Sequence, residues 1–556
     1  MPAAPATLLT SLYGDAVGSR LLPRFEAALA RWRLLASPGH GTASPPPLTQ
    51  RDCLLITYGD QILDPAMSPL QALGAFAERH WSGVVSGLHI LPFYPSSSDD
   101  GFSVEDYSEV DPALGTWTDV RRIGEHFDLM VDAVFNHLSA RSRWFSRFIA
   151  DDPAYRDFFV TVDGDPDLSQ VIRPRALPLL TAFSTVGGTR NVWTTFSADQ
   201  VDLNFRNPEV LFAVLEALVG YVTQGARYIR LDAIAFLWKE IGTSCLHLPQ
   251  THQLIQLMRA VLVEIAPDVR LITETNVPHA ENVSYFGDGT NEAHLVYNFA
   301  LPPLVLHSLA TGNASRLTQW ARTLVLPSDQ VTFFNFLASH DGIGINPARG
   351  VLTAAEIEAL VARTLSHGGL VSYRHLPDGS RTPYEMNINF FDALSDPAGG
   401  ELLAIQVRRT LCAHAILMSL AGVPAIYVHS LMGSRGDRAG ADASGIPRRI
   451  NREKLDRCRL ETELADPDSL RHHVFSGLKS LLQARRGNPA FAPSAPQKIW
   501  ELGESVFAVE RLNPNGADRV LCLHNISNRH VEVTRPDTGL TVGLDPYQYR
   551  WLQTSE

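Results

Sequence analysis

No run of about 18 apolar residues, the length a helix needs to cross a bilayer, occurs in the sequence. A membrane-spanning helix is therefore not expected. Cysteine is scarce: Cys53, Cys245, Cys412, Cys458 and Cys522 are scattered, odd in number and without CxxC spacing. That pattern argues against a disulfide framework and fits a reducing compartment. The first residues, MPAAPATLLTSLYGDAVGSRLL, lack the basic, apolar and small-residue regions of a signal peptide, so a cytoplasmic protein is expected. Basic residues are outnumbered, 47 Lys and Arg against 59 Asp and Glu, for a net charge of -12. This balance excludes nonspecific attraction to nucleic acid or anionic lipid, which needs a basic surface. An anionic substrate would need local arginines to override the global field.

What is present is a soluble globular composition, 45% hydrophobic and 19% charged, in 556 residues. That length suits a barrel carrying inserted and appended domains. Residues 18 to 36 place apolar residues at helical spacing with arginines on the other face, and predict a helical extension followed by the linker SPGHGTASPPPLTQ. From residue 51 short apolar runs alternate with longer helical segments: Cys53 to Thr57, Gly87 to Leu91, Leu129 to Val134, Tyr228 to Leu231, Arg270 to Ile272 and Ala425 to Val428. The alternation predicts βα units and a parallel sheet, here an α/β fold built on a (β/α)8 TIM barrel over 51–489. The rhythm lapses at about 138–207 and again at about 342–396, two insertions expected to overhang the C-terminal ends of the strands. Beyond 490 the pattern becomes β-like, at Ser505 to Arg511, Arg519 to His524 and His530 to Thr534, and predicts a small antiparallel domain.

Four segments deliver a carboxylate or a donor directly after an apolar run: Asp132-Ala-Val-Phe-Asn136-His137, Arg230-Leu-Asp232, Thr273-Glu274-Thr275 and Ser339-His340-Asp341. Retaining glycoside chemistry needs two carboxyl groups roughly 5 Å apart, one to attack the anomeric carbon and one to protonate the leaving oxygen. Asp232 and Glu274 fit these roles. Arg230, two residues before Asp232, shares its face of a strand and would keep it ionised. Asp341 would stabilise an oxocarbenium-like transition state, with His340 and His137 donating to the sugar. Singly, a strand-end acid is more often a helix cap or a surface charge. Four such segments in barrel order are hard to assign to coincidence.

The four segments resemble, in order and residue type, the motif regions of the α-amylase superfamily, glycoside hydrolase family 13. The resemblance implies Asp232 as nucleophile, Glu274 as general acid/base and Asp341 as transition-state stabiliser, with Asp132, Asn136, His137, Arg230 and His340 lining a glucose subsite. The calcium site of that family is not evident, so no metal and no cofactor are expected. Leu55-Ile-Thr-Tyr-Gly-Asp60, His89-Ile-Leu-Pro-Phe93, Arg173-Pro-Arg175, Phe299-Ala-Leu-Pro-Pro303, His340-Asp-Gly-Ile-Gly344 and Ile450-Asn-Arg452 resemble the sucrose phosphorylase branch. That branch implies that Asp60 and Arg452 close the glucose pocket, that Phe196 walls the anomeric carbon, and that Arg173 or Arg175 meets inorganic phosphate as the second substrate. Tyr107 stands where sucrose phosphorylases carry histidine; its hydroxyl is expected to donate to sugar.

The segment from Tyr373 to Asn387 departs from the sucrose enzymes. It resembles the glucosylglycerate phosphorylases, as do Pro92-Phe-Tyr-Pro-Ser-Ser-Ser-Asp-Asp100, Thr273 to His279 and Gly433-Ser-Arg435. Glycerate carries a carboxylate, for which Arg381 is the first candidate, with Arg175 and Arg435 behind it, while Tyr384 and Glu385 would hold its hydroxyls. Sucrose phosphorylase, glucosylglycerol phosphorylase, a glucosidase or transglucosidase, and a noncatalytic barrel remain alternatives to this reading. Small-molecule glucoside and phosphate are the expected partners.

Overall fold

Eight short apolar runs form parallel strands that close on themselves. They are β1 (Leu54–Thr57), β2 (Gly87–Ile90), β3 (Asp128–Ala133), β4 (Ala226–Leu231), β5 (Arg270–Thr273), β6 (Leu295–Tyr297), β7 (Thr332–Phe336) and β8 (Val423–Tyr427). Each pairs with its neighbours in chain order, and β8 pairs with β1 to close the barrel. Six of the eight, β1, β2 and β5 to β8, are buried at every position, as expected of strands packed on both faces. The register gathers the polar strand ends. Arg230 lies beside Asp132 across β4 and β3, and Leu231 beside Thr273 across β4 and β5, so the residues after these strands emerge together at one rim. The computed structural model describes residues 3–36, 46–175, 177–375, 380–513, 516 and 518–555. Most of the expected linker and residues 376–379 of the second insertion lie outside them.

The N-terminal extension is two helices, not one. Pro5–Tyr13 precedes Asp15–Ala36, and the break falls at Gly14, whose φ of 78° favours glycine. Phe25 and Trp32 are buried against Phe212 of the helix Pro208–Thr223. The arginines of the other face, Arg24, Arg31 and Arg33, are exposed and pair with Glu209, Glu216 and Glu264 on barrel helices. Such exposed pairs contribute little, so the buried aromatics hold the extension down.

After β3 the chain forms the hairpin-like pair His137–Ser139 and Gln200–Asp202, with a three-stranded antiparallel sheet between them. After β7 a second antiparallel sheet forms from Ile343–Gly344, Leu370–His375 and Arg381–Asn387. Its helix, Ala354–Ser366, starts at a capping box in which Thr353 and Glu356 satisfy each other's backbone N–H groups. Beyond the barrel, four strands from Gln497–Glu501 to Tyr549–Ser555 make the antiparallel C-terminal sheet, with a separate two-stranded ribbon beside it. All five cysteines are free thiols. Among the described residues no helix is long and apolar enough to cross a membrane.

Candidate active site

The strand ends and both insertions enclose a cavity of about 300 Å³. Asp232, Glu274 and Asp341 line it together with His137, Phe196 and His340. Arg230 is the hub beneath them, and it is 2% exposed. Its Nη1 bonds Asp232 Oδ1 at 2.7 Å and also meets Asp132, while Nη2 approaches Glu274 Oε1 at 4.0 Å. Asp132 in turn meets His89 Nε2 at 2.6 Å. Glu274 Oε2 accepts the backbone N–H of Ala233 at 3.1 Å, which ties it to the residue following Asp232. Ala233 is held at φ 50°, a left-handed conformation costly for a residue with a Cβ. Strain of this kind persists where the surroundings over-determine it, and here it turns the chain sharply beside Asp232.

The electrostatics separate the three carboxyl groups. Burial raises Asp232, pushing it up to about 8 against the pull of Arg230 and with help from Glu274, Asp132 and Asp341. Burial likewise raises Glu274, assisted by Asp341. Two carboxyls raised together in one site titrate as a pair, and each disfavours ionisation of the other. The direct bond from Arg230 places the negative charge on Asp232 and leaves the proton to Glu274. Burial also acts to raise Asp341, but Arg448, His340, Arg452 and Arg230 outweigh it and hold Asp341 well below the ordinary carboxylate range. Burial lowers His340 to about 3, so at neutral pH the ring is uncharged and one nitrogen can donate to a ligand. An ionised Asp232 beside a protonated Glu274, with a permanently anionic Asp341, is the charge state that retaining glycosyl transfer requires.

The Alpha amylase, catalytic domain model matches residues 83–345. A glucosylglycerate phosphorylase of Allomeiothermus silvanus is 53% identical over 510 residues, covering 91% of each chain. A second glucosylglycerate phosphorylase, of Spirochaeta thermophila, is 49% identical over 99% of this chain and 93% of its own. The chain belongs to the α-amylase family. Within that family it lies on the phosphorylase branch and is a glycosyltransferase of phosphorylase type. The fold agrees: the crystal structure of sucrose 6F-phosphate phosphorylase from Thermoanaerobacter thermosaccharolyticum superposes with a TM-score of 0.75 at 24% identity, covering 89% of this chain and 98% of that one.

Several residues that the two resemblances placed around the glucose subsite do not line the cavity. Asp60 does not line the cavity; its carboxylate takes Lys454 Nζ at 2.6 Å. The partner of Arg452 is Asp100, and Arg452 also donates through Nε to His340 O at 2.9 Å. Asp100 sits at φ 49° next to Asp99 at φ 54°, so the acid that meets Arg452 lies on a strained turn 40 residues after Asp60. Tyr107 does not line the cavity, and its single hydroxyl proton is directed at Val134 O (2.7 Å) and His137 O (3.1 Å) rather than at a sugar. Asn136 is spent on a buried ion pair, bonding Asp202 at 3.1 Å and Lys239 at 2.8 Å, and it lies behind the cavity with Asp132 and Arg230. His137, its ring 5.3 Å from that of Phe196 and tilted by 55°, does reach the cavity.

The acceptor candidates divide in the same way. Arg175 and Tyr384 line the cavity; Arg175 pairs with Asp99 at 3.1 Å and lies 5.6 Å over the Phe196 ring. Arg381 is exposed over Tyr373 and does not line the cavity. Arg435 is tied to Asp392 and Gln406, both at 2.7 Å, away from it. Glu385 is buried and held by both arms of Arg448 at 2.9 and 3.0 Å. Arg448 also meets Asp341 Oδ1 at 2.7 Å, so it links Glu385 of the second insertion to Asp341. Sequence reasoning misses Arg448, Asp100 and Phe102, whose ring stacks on His340 at 4.8 Å. Asp100 and Phe102 stand in or beside a segment that carries the resemblance; Arg448 stands four residues before Arg452, with no local signal of its own. Among the described residues no group of three or more His, Cys, Asp or Glu is placed to hold a metal ion.

Proposed function

We propose that the chain catalyses reversible phosphorolysis of 2-O-α-D-glucosyl-glycerate to α-D-glucose 1-phosphate and glycerate, through a covalent glucosyl ester on Asp232. Asp232 attacks the anomeric carbon while Glu274 gives its proton to the glycosidic oxygen, and glycerate leaves. Inorganic phosphate then attacks the ester from the vacated side. Glu274 takes up the phosphate proton, Asp232 is released, and the configuration is retained after two inversions. Asp341 lowers the energy of the positive charge that develops on the sugar in both steps. Phosphate is a co-substrate, and neither metal nor organic cofactor takes part.

The observation that carries this reading is a cavity with three carboxyl groups on its floor and arginines from both insertions on its walls, Arg175 from the first and Arg349, Arg374 from the second. Two anions, phosphate and glycerate, each need such a cation in a chain whose net charge is -12. The names of the relatives at 53% and 49% identity support the same acceptor. The Asp100–Arg452 pair behind His340 supports a short pocket that takes a single glucosyl unit. The test is synthesis from α-glucose 1-phosphate with glycerate, glycerol or fructose offered separately. Glycerate is expected to give the highest kcat/KM by at least tenfold; a preference for glycerol or fructose would discard the acceptor while leaving the phosphorylase chemistry.

A further inference from the structure

Arg349 and Arg374 differ from Arg175 and Arg448 at the cavity in having no acid beside them among the described residues. Arg349 follows the turn Asn346–Ala348, and Arg374 lies on the strand Leu370–His375, opposite Thr382 of Arg381–Asn387. Arg349 is held by neutral acceptors: Nη2 donates to Thr382 Oγ1 at 2.7 Å and Pro383 O at 3.1 Å, and Nε to Asn346 Oδ1 at 3.3 Å. Arg374 Nε is buried with no hydrogen-bond partner among the described residues. Arg175 and Arg448, by contrast, are each neutralised by a carboxylate of the chain itself.

Two half-buried guanidinium groups lining the same cavity, close enough to feel each other's charge and without a counterion among the described residues, are costly when no anion is bound. Burial and the neighbouring Arg374 both loosen the proton on Arg349, as expected for adjacent like charges. An anion arriving between them removes that cost. The sheet of the second insertion is what brings them together: the register that sets Arg374 across from Thr382 also presents Thr382 to Arg349. Their wall of the cavity is built by a different insertion from the one that carries Arg175 and Phe196, so two anions can be received by separate cations.

We infer that Arg349 and Arg374 together form the seat for the carboxylate of the glycerate acceptor, and that they set the preference for an acidic over a neutral acceptor. The assignment rests on the proposed function. Phosphate shares the chemistry of an oxyanion, and the experiment separates the two. Charge-assisted hydrogen bonds to a carboxylate correspond to about a 10- to 100-fold preference.

The decisive variant is Arg374→Gln, since its Nε has no protein partner to lose among the described residues; Arg349→Gln also forfeits the bonds to Thr382 and Pro383. With α-glucose 1-phosphate as donor, the ratio of kcat/KM for glycerate over glycerol is measured in the wild type and in both variants, and KM for phosphate is measured in phosphorolysis. The inference expects the ratio to fall at least tenfold in Arg374→Gln through a raised KM for glycerate, with Arg374→Lys recovering part of the loss. Wild-type protein that uses no glycerate would overturn the proposed function and this assignment with it. Glycerate use in the wild type with an unchanged ratio in the variants would overturn the assignment alone. So would a tenfold rise in KM for phosphate with the ratio kept, which would make the pair a phosphate seat.

Discussion

Asp232→Asn lowers phosphorolysis on the order of 10⁴-fold or more, in a protein that still folds. An amide cannot form the glucosyl ester, and loss of a nucleophile removes the covalent route altogether. Asn has nearly the shape of Asp, so the packing around Arg230 is kept, and Arg230 retains Asp132 as an anionic partner. A cooperative thermal transition close to that of the wild type would show that the loss is chemical. Residual activity above a tenth of the wild type would mean that Asp232 is not the nucleophile, whatever its position in the cavity.

Glu274→Gln lowers phosphorolysis of a glucoside about 10³-fold, within the range for loss of a general acid. Much of that loss is expected to disappear with α-glucosyl fluoride as donor, because fluoride leaves without a proton. The same variant tests the charge assignment. Burial and the nearby Asp341 raise Glu274, so the wild-type kcat/KM falls as pH rises through the raised value and the proton is lost. Gln does not titrate, and that alkaline limb should vanish in the variant. An equal loss with fluoride and glucoside, or an alkaline limb that persists unmoved, would put the acid on another group.

Whether a residue is legible in the sequence depends on whether its partner is near it in the chain. The strand-end carboxylates are legible because each directly follows an apolar run, and the barrel gathers such positions at one rim. β6 and β7 are harder, the first being only the three residues Leu295–Tyr297. The helix Pro5–Tyr13 escapes detection because Gly14 breaks the periodicity on which the longer helix is read. The resemblance puts Asp60 and Arg452 at the end of the glucose pocket, yet the acid that meets Arg452 is Asp100, on a turn whose positive φ no spacing rule announces. Among arginines the ranking read from the sequence puts Arg381 first, yet only Arg175 of the three candidates lines the cavity. Arg381 and Arg435 carry the same charge as Arg349 and Arg374, and what separates them is whether a strand register and an insertion turn them toward the cavity, or Asp392 takes the charge first.

The proposed phosphate-dependent transfer from an acidic glucoside would unite the carboxylates of the barrel rim with the arginines of the insertions, and release of α-glucose 1-phosphate measures it. Purified protein is given glucosylglycerate, glucosylglycerol or sucrose, each with and without inorganic phosphate. Release from glucosylglycerate that requires phosphate and exceeds the other two by at least tenfold is the predicted result. Free glucose from any of them at the same rate without phosphate would contradict it.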